Sequence, residues 1–401
     1  MLKKLENTFR GESSYRQFFL SLLVTAIGYG CYKGVLDNYL AEIVTMSEFD
    51  RGVAEFFREI PGLLMVFILA VLYTFSAERL YKLGAVIIMV GLAMITVVPA
   101  ERVMVTVAIC VYSLGEHIQL GMRNTLTLEY AKPGKSGTAL GMQSSVNQIG
   151  TLFGYLLVVP VFLAVSGMLV FRGFFLAATV LAAVGMVLAL GIRGSSETDK
   201  ARSRFYFRKK YTKYYFLEVF YGARKQVFLT FGPYVLILFY GAGANTISLL
   251  FAVSAVCCYF AAPWMGKLID RLGYRTIMIA DTLVLVIVCL LYGYAHHIFP
   301  REIAFFVCCV NYILDAVISL GSMASNVYVQ DISDSTEEVR ATIFTGISVN
   351  HLITIFIALF GGWVWKTMGI EELFTLSAVL GVCNSIYAAT IKPKGVGQTI
   401  R

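Results

Sequence analysis

Three titratable or charged side chains and an amide crowd the stretch "GEHIQLGMR" (115–123): Glu116, His117, Gln119 and Arg123, inside an otherwise apolar run. On a helix Tyr112, Glu116, Gln119, Arg123 and Thr127 follow i, i+4, i+7 spacing and share one face, with His117 and Asn124 on its flank. Glu116 and Arg123 are seven residues apart, about 10 Å along a helix axis, so each needs a partner from another element. A buried carboxylate can load and release a proton. A guanidinium keeps its charge and is suited to holding an anion. Glu116 is therefore read as a proton carrier, with His117 beside it, and Arg123 as an anion ligand with Gln119 as its hydrogen-bonding neighbour.

Other polar groups interrupt apolar runs in the same way. Lys33 and Asp37 stand four apart and can neutralise each other. Arg58 and Glu59 are adjacent, about 100° apart on a helix, and are expected not to face the same way. Asp37, Arg58 and Glu59 are candidates for structural or gating ion pairs, and Lys33 is a candidate for attracting an anionic solute. Gln143 and Asn147 share a face, as do Asp315, Ser319, Ser322 and Asn326, and Asn350 precedes His351. Gln143, Asn147, Asn350 and Ser319 are candidate solute ligands; Asp315 and His351 are alternative proton carriers. His296 and His297 fall in an external loop without further ligands in sequence, so no metal site is expected. The eight cysteines all lie within apolar runs and form no Cys-x-x-Cys pattern, which supports neither disulfides nor zinc. "GYGCYKG" (28–34) reads as close helix packing rather than a phosphate cradle. No nucleophile–base constellation or phosphate loop is present, so neither an enzyme nor a cofactor is expected.

The elements that must position these groups are membrane spans. The chain is 58% hydrophobic and 14% charged, with mean hydropathy +0.73, against about 25% charged in soluble domains. Windows of about 20 apolar residues place twelve spans: 17–41, 53–75, 83–99, 104–128, 138–165, 173–192, 224–240, 246–268, 275–295, 301–328, 341–365 and 370–390. A charge at mid-membrane costs about 2.5–3.5 kcal/mol, so the groups above should face partners or a watery cavity. Of 33 Lys and Arg, only Arg51, Arg102, Arg172, Arg301 and Lys366 fall on the side opposite the N-terminus, while Lys33, Arg58 and Arg123 lie inside spans. By the positive-inside rule both termini are cytoplasmic. The net charge of +8 is then topological, and no nucleic-acid partner is expected. The basic N-terminus followed by a long apolar run reads as a retained first span rather than a cleaved signal.

A basic stretch at 193–213, "RGSSETDKARSRFYFRKKYTK", divides the chain. Its aromatic-laced end is expected to lie on anionic headgroups. The halves resemble each other: "QFFLS" (17–21) and "QVFLT" (226–230), "ERLYKLG" (78–84) and "DRLGYRT" (270–276), "YSLGEHIQLG" (112–121) and "YILDAVISLG" (312–321), "SVNQ" (145–148) and "SVNH" (348–351). Four matches in one order at nearly one offset point to a duplicated six-span unit. The expected organisation is an N-terminal bundle (1–192), a basic linker with an interfacial helix (193–223) and a C-terminal bundle (224–401). Matching Gln226 to Gln17 places Arg224 and Lys225 at the cytoplasmic surface, where they and Glu218 would snorkel.

Twelve spans in two halves, a basic central loop and "GKLIDRLGYR" (266–275) together resemble the major facilitator superfamily. The loop matches that family's Gly-x-x-x-Asp-Arg-x-Gly-x-Arg motif through Gly266, Asp270, Arg271, Gly273 and Arg275. At the corresponding loop of the first half, "TFSAERLYKLG" (74–84), Glu78 replaces the Asp, Thr74 replaces the first Gly and Arg79 is kept. The resemblance implies an all-α membrane protein of twelve transmembrane helices in two pseudo-symmetric six-helix bundles. It also implies that spans one, four, seven and ten line a central cavity, and that the motif loops act as cytoplasmic latches. The Gly-Pro ending of the antiporter stretch in span five is missing: Pro160 does not complete it. The expected function is secondary active transport of a small polar organic solute, anionic or zwitterionic, coupled to protons, by a functional monomer in a bacterial cytoplasmic membrane. The alternatives are an exporter of amphipathic compounds by proton antiport and a non-transporting membrane receptor, whose polar stripes would be closed by ion pairs.

Overall fold

A chain in hydrocarbon must satisfy every backbone N–H and C=O within its own segment, which leaves helices as the economical solution for apolar runs of this length. The computed structural model describes residues 7–10, 12–72, 74–132, 135–193 and 207–392. Its long elements are all helices. They are α1 (Glu12–Asn38, continued by a π-helical turn, Tyr39–Ile43), α2 (Glu48–Val71), α3 (Ala77–Val97), α4 (Arg102–Tyr130), α5 (Ser136–Ala164) and α6 (Met168–Leu190). There follow α7 (Thr212–Leu238), α8 (Ala244–Leu272), α9 (Tyr274–Ile298), α10a (Arg301–Ile318) and α10b (Met323–Ile332) joined by a 3-10 turn (Ser319–Ser322), α11 (Thr336–Met368) and α12 (Ile370–Ala389). Among the described residues ten spans are long and apolar enough to cross a membrane. Large apolar side chains such as Leu169, Phe260, Phe306 and Ile386 point outward. An exterior of this kind is suited to lipid, and the protein is an integral membrane protein.

The two helices that fail the apolar test are α2 and α7, and both carry charges that other groups absorb. Arg51 and Glu55 close a buried pair at 2.8 Å, and Gln226 donates to Glu55 at 2.9 Å. The seventh helix differs from expectation. Residues 212–223 are not an interfacial lead-in but the first turns of α7 itself, with Tyr214, Tyr215 and Leu217 buried in a core with Ile269, Ile277 and Tyr328. Of the aromatic side chains that suggested a headgroup anchor, Tyr211 is buried and Phe207 is 57% exposed, while Phe205 and Tyr206 lie outside the described residues. Part of the basic linker, 194–206, lies outside the described residues. Its described end is tied down: Lys210 donates to Asp334 at 2.7 Å, the Tyr211 and Ser333 hydroxyls share a 2.8 Å hydrogen bond, and Phe207 stacks on Tyr215 at 4.6 Å. Hydrogen bonding to Asp334 holds the Lys210 ammonium above its usual range.

The chain divides into two units. The first comprises residues 1–46, 57–202 and 242–252; the second comprises 47–56, 203–241 and 253–401. In the first, α1 packs on α5 and α6, and α3 packs on α4 and α6; in the second, α7 packs on α11 and α12, and α9 packs on α10a and α12. The second pattern is the first shifted by six helices. This is the three-dimensional form of the sequence repeat. Glycine makes the closest approach in the first unit possible: a Cβ on Gly154 of α5 would meet the Gly30 Cα of α1 at 2.6 Å and the Cys31 nitrogen at 2.7 Å. Small residues that bring backbones together are a standard basis of helix association in membranes.

Candidate functional site

The first unit builds its polar face on α4. Tyr112, Gln119 and Thr127 are buried, and Glu116 and Arg123 are half-buried between them. Arg123 donates from Nη1 to the Asn147 Oδ1 of α5 at 3.1 Å, a partner from another helix as the spacing requires. Its Nε and the Nε2 of Gln119 are buried without a hydrogen-bond partner. Gln143 is buried one turn before Asn147. Among the described residues Glu116 makes no hydrogen bond, yet it lies within electrostatic reach of Arg58, Arg123, Glu59 and Lys33. His117 is committed locally: its Nδ1 lies 2.8 Å from the Ser113 carbonyl and 3.1 Å from the Ser113 hydroxyl. That hydroxyl donates in turn to the Arg58 carbonyl at 2.5 Å.

The flanking charges resolve as follows. Lys33 donates to Asp37 at 2.8 Å, with Asp37 almost fully buried, and its ammonium also lies 5.5 Å from the Phe251 ring. The pair closes along its own helix. Arg58 and Glu59, candidates for a structural or gating ion pair, form one although their Cβ directions diverge by about 100°. The long guanidinium arm bends back across the helix surface, which an argument from Cβ directions omits.

The second unit holds a polar cluster that the sequence reading had placed at the surface. Arg224 is buried, not snorkelling, and its Nη2 donates to Asp281 of α9 at 3.0 Å. Its guanidinium lies 5.0 Å from the Tyr221 ring. Lys225, one residue on, is exposed. Glu218 accepts from the Ser325 hydroxyl at 3.0 Å and from the Asn350 amide at 3.3 Å, so Asn350 spends its donor inside the unit. Gly222 allows this, since a Cβ there would meet the Asn350 Cγ at 2.9 Å. The tenth helix breaks beside the cluster at Ser319–Ser322. Tyr221 donates to the Ser319 carbonyl at 3.0 Å, and Gly321 brings the break against Asp281, whose Cβ would lie 3.0 Å from a Cβ there. Glu218, Asp281, Ser322, Ser325 and Asn384 help to line a cavity of about 20 Å³, about the space of one water. Asp315, one turn before the break, is buried within electrostatic reach of Arg224 and Lys225. His351 is half-buried on α11 beside Asn350.

The motif loop between α8 and α9 has a structural part. Gly273 sits at φ +80°, where a Cβ is disfavoured. Arg275 donates to the Ala389 carbonyl at the end of α12 at 2.6 Å, and Tyr274 donates to Asp331 at 2.9 Å. In the first unit Lys82 donates to the Ile192 carbonyl just past the end of α6 at 2.8 Å. A cation from each motif loop thus meets the C-terminal end of its unit's last helix, where the helix dipole favours it. Asp270, Arg271 and Arg79 are exposed, Gly266 and Glu78 half-buried.

Sequence reasoning missed Asp281 and misplaced Arg224 and Glu218. The signal for Asp281 was present: it is a lone carboxylate within "IMIADTLVLVIV" (277–288). Asn384 was likewise passed over inside the last span.

No family model and no curated protein sequence matches the chain. Solved structures do. The nucleoside transporter NupG aligns with a TM-score of 0.74 at 15% identity, covering 95% of this chain and 100% of its own. A D-xylose–proton symporter aligns at 0.77 and 14% identity, covering 97% and 99%. A bacterial homologue of the iron transporter ferroportin, in an inward-facing state, aligns at 0.69 and 14% identity, covering 94% and 98%. The chain therefore has the twelve-helix fold of the major facilitator transporters, as its motif loop and duplicated halves implied.

Proposed function

We propose that the protein is a secondary active transporter of a small polar organic solute with an anionic or zwitterionic group, coupled to protons through Glu116. The observation that carries this reading is the α4 stripe. Two buried donors, Arg123 Nε and Gln119 Nε2, lack partners, and unpartnered buried donors are costly unless a ligand or water uses them. Arg123 supplies the charge that attracts the solute, with Asn147 fixing its fork and Gln119 and Gln143 beside it. Lys33, neutralised by Asp37, contributes less than its charge suggests. Glu116 is the one carboxylate of the stripe, and its lack of hydrogen bonds leaves it available to exchange a proton. In the second unit Asp315 is the alternative carrier, while Asn350 holds Glu218 rather than the solute. The similar structures are named as nucleoside, xylose–proton and iron transporters, which agrees with solute transport as the class and leaves the solute to this chain's own residues.

The test is transport in proteoliposomes. Glu116→Gln is expected to abolish accumulation driven by a pH gradient while retaining solute counterflow. Arg123→Ala is expected to weaken solute binding itself, raising the half-saturating concentration in counterflow by at least tenfold. Wild-type accumulation with wild-type pH dependence in Glu116→Gln would make Glu116 a packing residue and remove the proton assignment.

A further inference from the structure

At one end of the second unit, the last turn of α9 meets the first turn of α12. The packing there is fixed by apolar contacts: Gly293 lets α12 approach, since a Cβ would meet the Phe374 Cβ at 3.1 Å, and the Tyr292 and Phe374 rings lie 4.7 Å apart. On this scaffold His296 Nε2 lies 2.9 Å, and His297 Nε2 2.8 Å, from the same atom, Glu371 Oε1. The two imidazoles face each other with centroids 4.0 Å apart, and the His296 ring packs on Phe239 at 4.8 Å. The Glu371 and Glu372 carboxylates both lean over Gly369: a Cβ there would meet Glu371 Oε2 at 2.7 Å and Glu372 Oε2 at 3.0 Å.

We propose that His296, His297 and Glu371 form a binding site for a divalent transition-metal ion of the Zn²⁺ type, pinning α9 to α12. Two imidazole nitrogens and a carboxylate oxygen are a ligand set that zinc takes, with bonds of about 2.0–2.2 Å. Tetrahedral bonds of that length hold ligand atoms about 3.3 Å apart. Two of the three separations here, 2.9 and 2.8 Å, are about half an ångström short of that, and all three atoms lie within 4.8 Å of one another, so side-chain shifts of up to about 1.5 Å bring them to it. A hydrogen-bonded cluster without metal places two imidazole donors on one carboxylate oxygen and gives no reason for the second histidine. A metal ion uses both. The fourth position falls to water or to Glu372. His297 is 60% exposed, which gives an ion a path from solvent. The cysteines lie elsewhere in the spans and supply no ligand. The site is independent of the transport reading, because its residues are remote in sequence from the α4 stripe and belong to the other unit.

The test uses the purified full-length protein, freed of any histidine tag, and Co²⁺ as a spectroscopic probe. The expected result is one equivalent of Co²⁺ bound, with the intense visible d–d bands of a four-coordinate site and no thiolate charge-transfer band. Zn²⁺ should displace it. His297→Ala, at an exposed position where folding is safe, and the near-isosteric Glu371→Gln should each weaken binding at least tenfold. Absence of saturable binding, a thiolate band, or binding unchanged in both variants would overturn the proposal.

Discussion

Arg224 and Asp281 provide the sharpest energetic test of the second unit's interior. Both are nearly inaccessible, with side chains 2% and 7% exposed, and their charged atoms lie 3.0 Å apart. At an effective dielectric of about 20 the attraction is roughly 5–6 kcal/mol. The desolvation of two ions, several kcal/mol each, offsets most of that. The pair as a whole is therefore close to neutral, and each partner alone is not. Asp281→Asn keeps the shape beside Gly321 and leaves a guanidinium that cannot shed its charge; it is expected to cost about 3–5 kcal/mol. Arg224→Met also gives up the contact with Tyr221, about 0.5–2 kcal/mol, and should cost a similar amount. The double variant should recover at least half of the summed loss, since no buried charge of the pair remains. The assay is equilibrium unfolding of the purified protein in mixed micelles with increasing SDS, analysed as a double-mutant cycle. Single losses below about 1 kcal/mol, or strictly additive losses, would refute the argument.

Two further expectations concern the ends of the helices and the orientation of the chain. Arg275→Ala and Lys82→Ala should each lower stability by about 0.3–1 kcal/mol through loss of a cation at a helix C-terminus; Arg275→Lys should retain most of it, and equal effects of Ala and Lys in the same unfolding assay would remove the capping role. From the Lys/Arg asymmetry the loop at 331–340 is expected in the cytoplasm and 296–301 outside. In a Cys-less background, Asp334→Cys should therefore resist an impermeant thiol reagent in intact cells and Ile298→Cys should react, and the reverse pattern would invert the topology.

What the sequence disclosed and what it hid follow from two kinds of signal. Helix number was legible because hydrocarbon leaves few options and because the repeat preserves order, so the twelve apolar windows correspond to twelve long helices, ten of them, among the described residues, apolar enough to cross a membrane. Glu116 and Arg123 were legible because a charge within an apolar run is costly and therefore stands out. Arg224 was misread for a definite reason. Aligning Gln226 with Gln17 put the preceding basic pair at the surface, but α7 starts at Thr212, and the extra turns carry Arg224 into the interior. Asp281 is the partner that makes this tolerable, and pairing across helices far apart in sequence leaves no local pattern. The break at Ser319–Ser322 was equally hidden, because "SLGS" also suits a continuous span and only the approach of Gly321 to Asp281 reveals its use.

The two units are built from one pattern of helix pairs yet differ in how their buried carboxylates are held. In the second, Glu218 is held by Ser325 and Asn350, Arg224 by Asp281, and Tyr221 by the Ser319 carbonyl. These bonds surround a space for about one water, and Arg224 Nε and Nη1, Asp281 Oδ1 and Asn384 Oδ1 are buried beside it without partners. In the first, Arg123 keeps a buried Nε and Gln119 a buried amide without partners, and Glu116 makes no hydrogen bond among the described residues. A duplicated unit begins with equivalent faces, so this difference reflects divergence of roles. A carboxylate engaged by donors from other helices rigidifies a bundle, whereas an unengaged carboxylate beside unspent donors has a use only when a further molecule or proton arrives. Under the proposed function, solute recognition would fall mainly to α4 and α5, and the second unit's cluster to holding α7, α9, α10a, α10b and α11 in register. If so, Glu218→Gln, which keeps the shape but turns one of the two accepting oxygens into an amide donor, should lower unfolding stability by about 1–3 kcal/mol. It should leave the half-saturating solute concentration in counterflow unchanged. A tenfold weakening of solute affinity without loss of stability would place Glu218 in the binding machinery and reverse the division of labour.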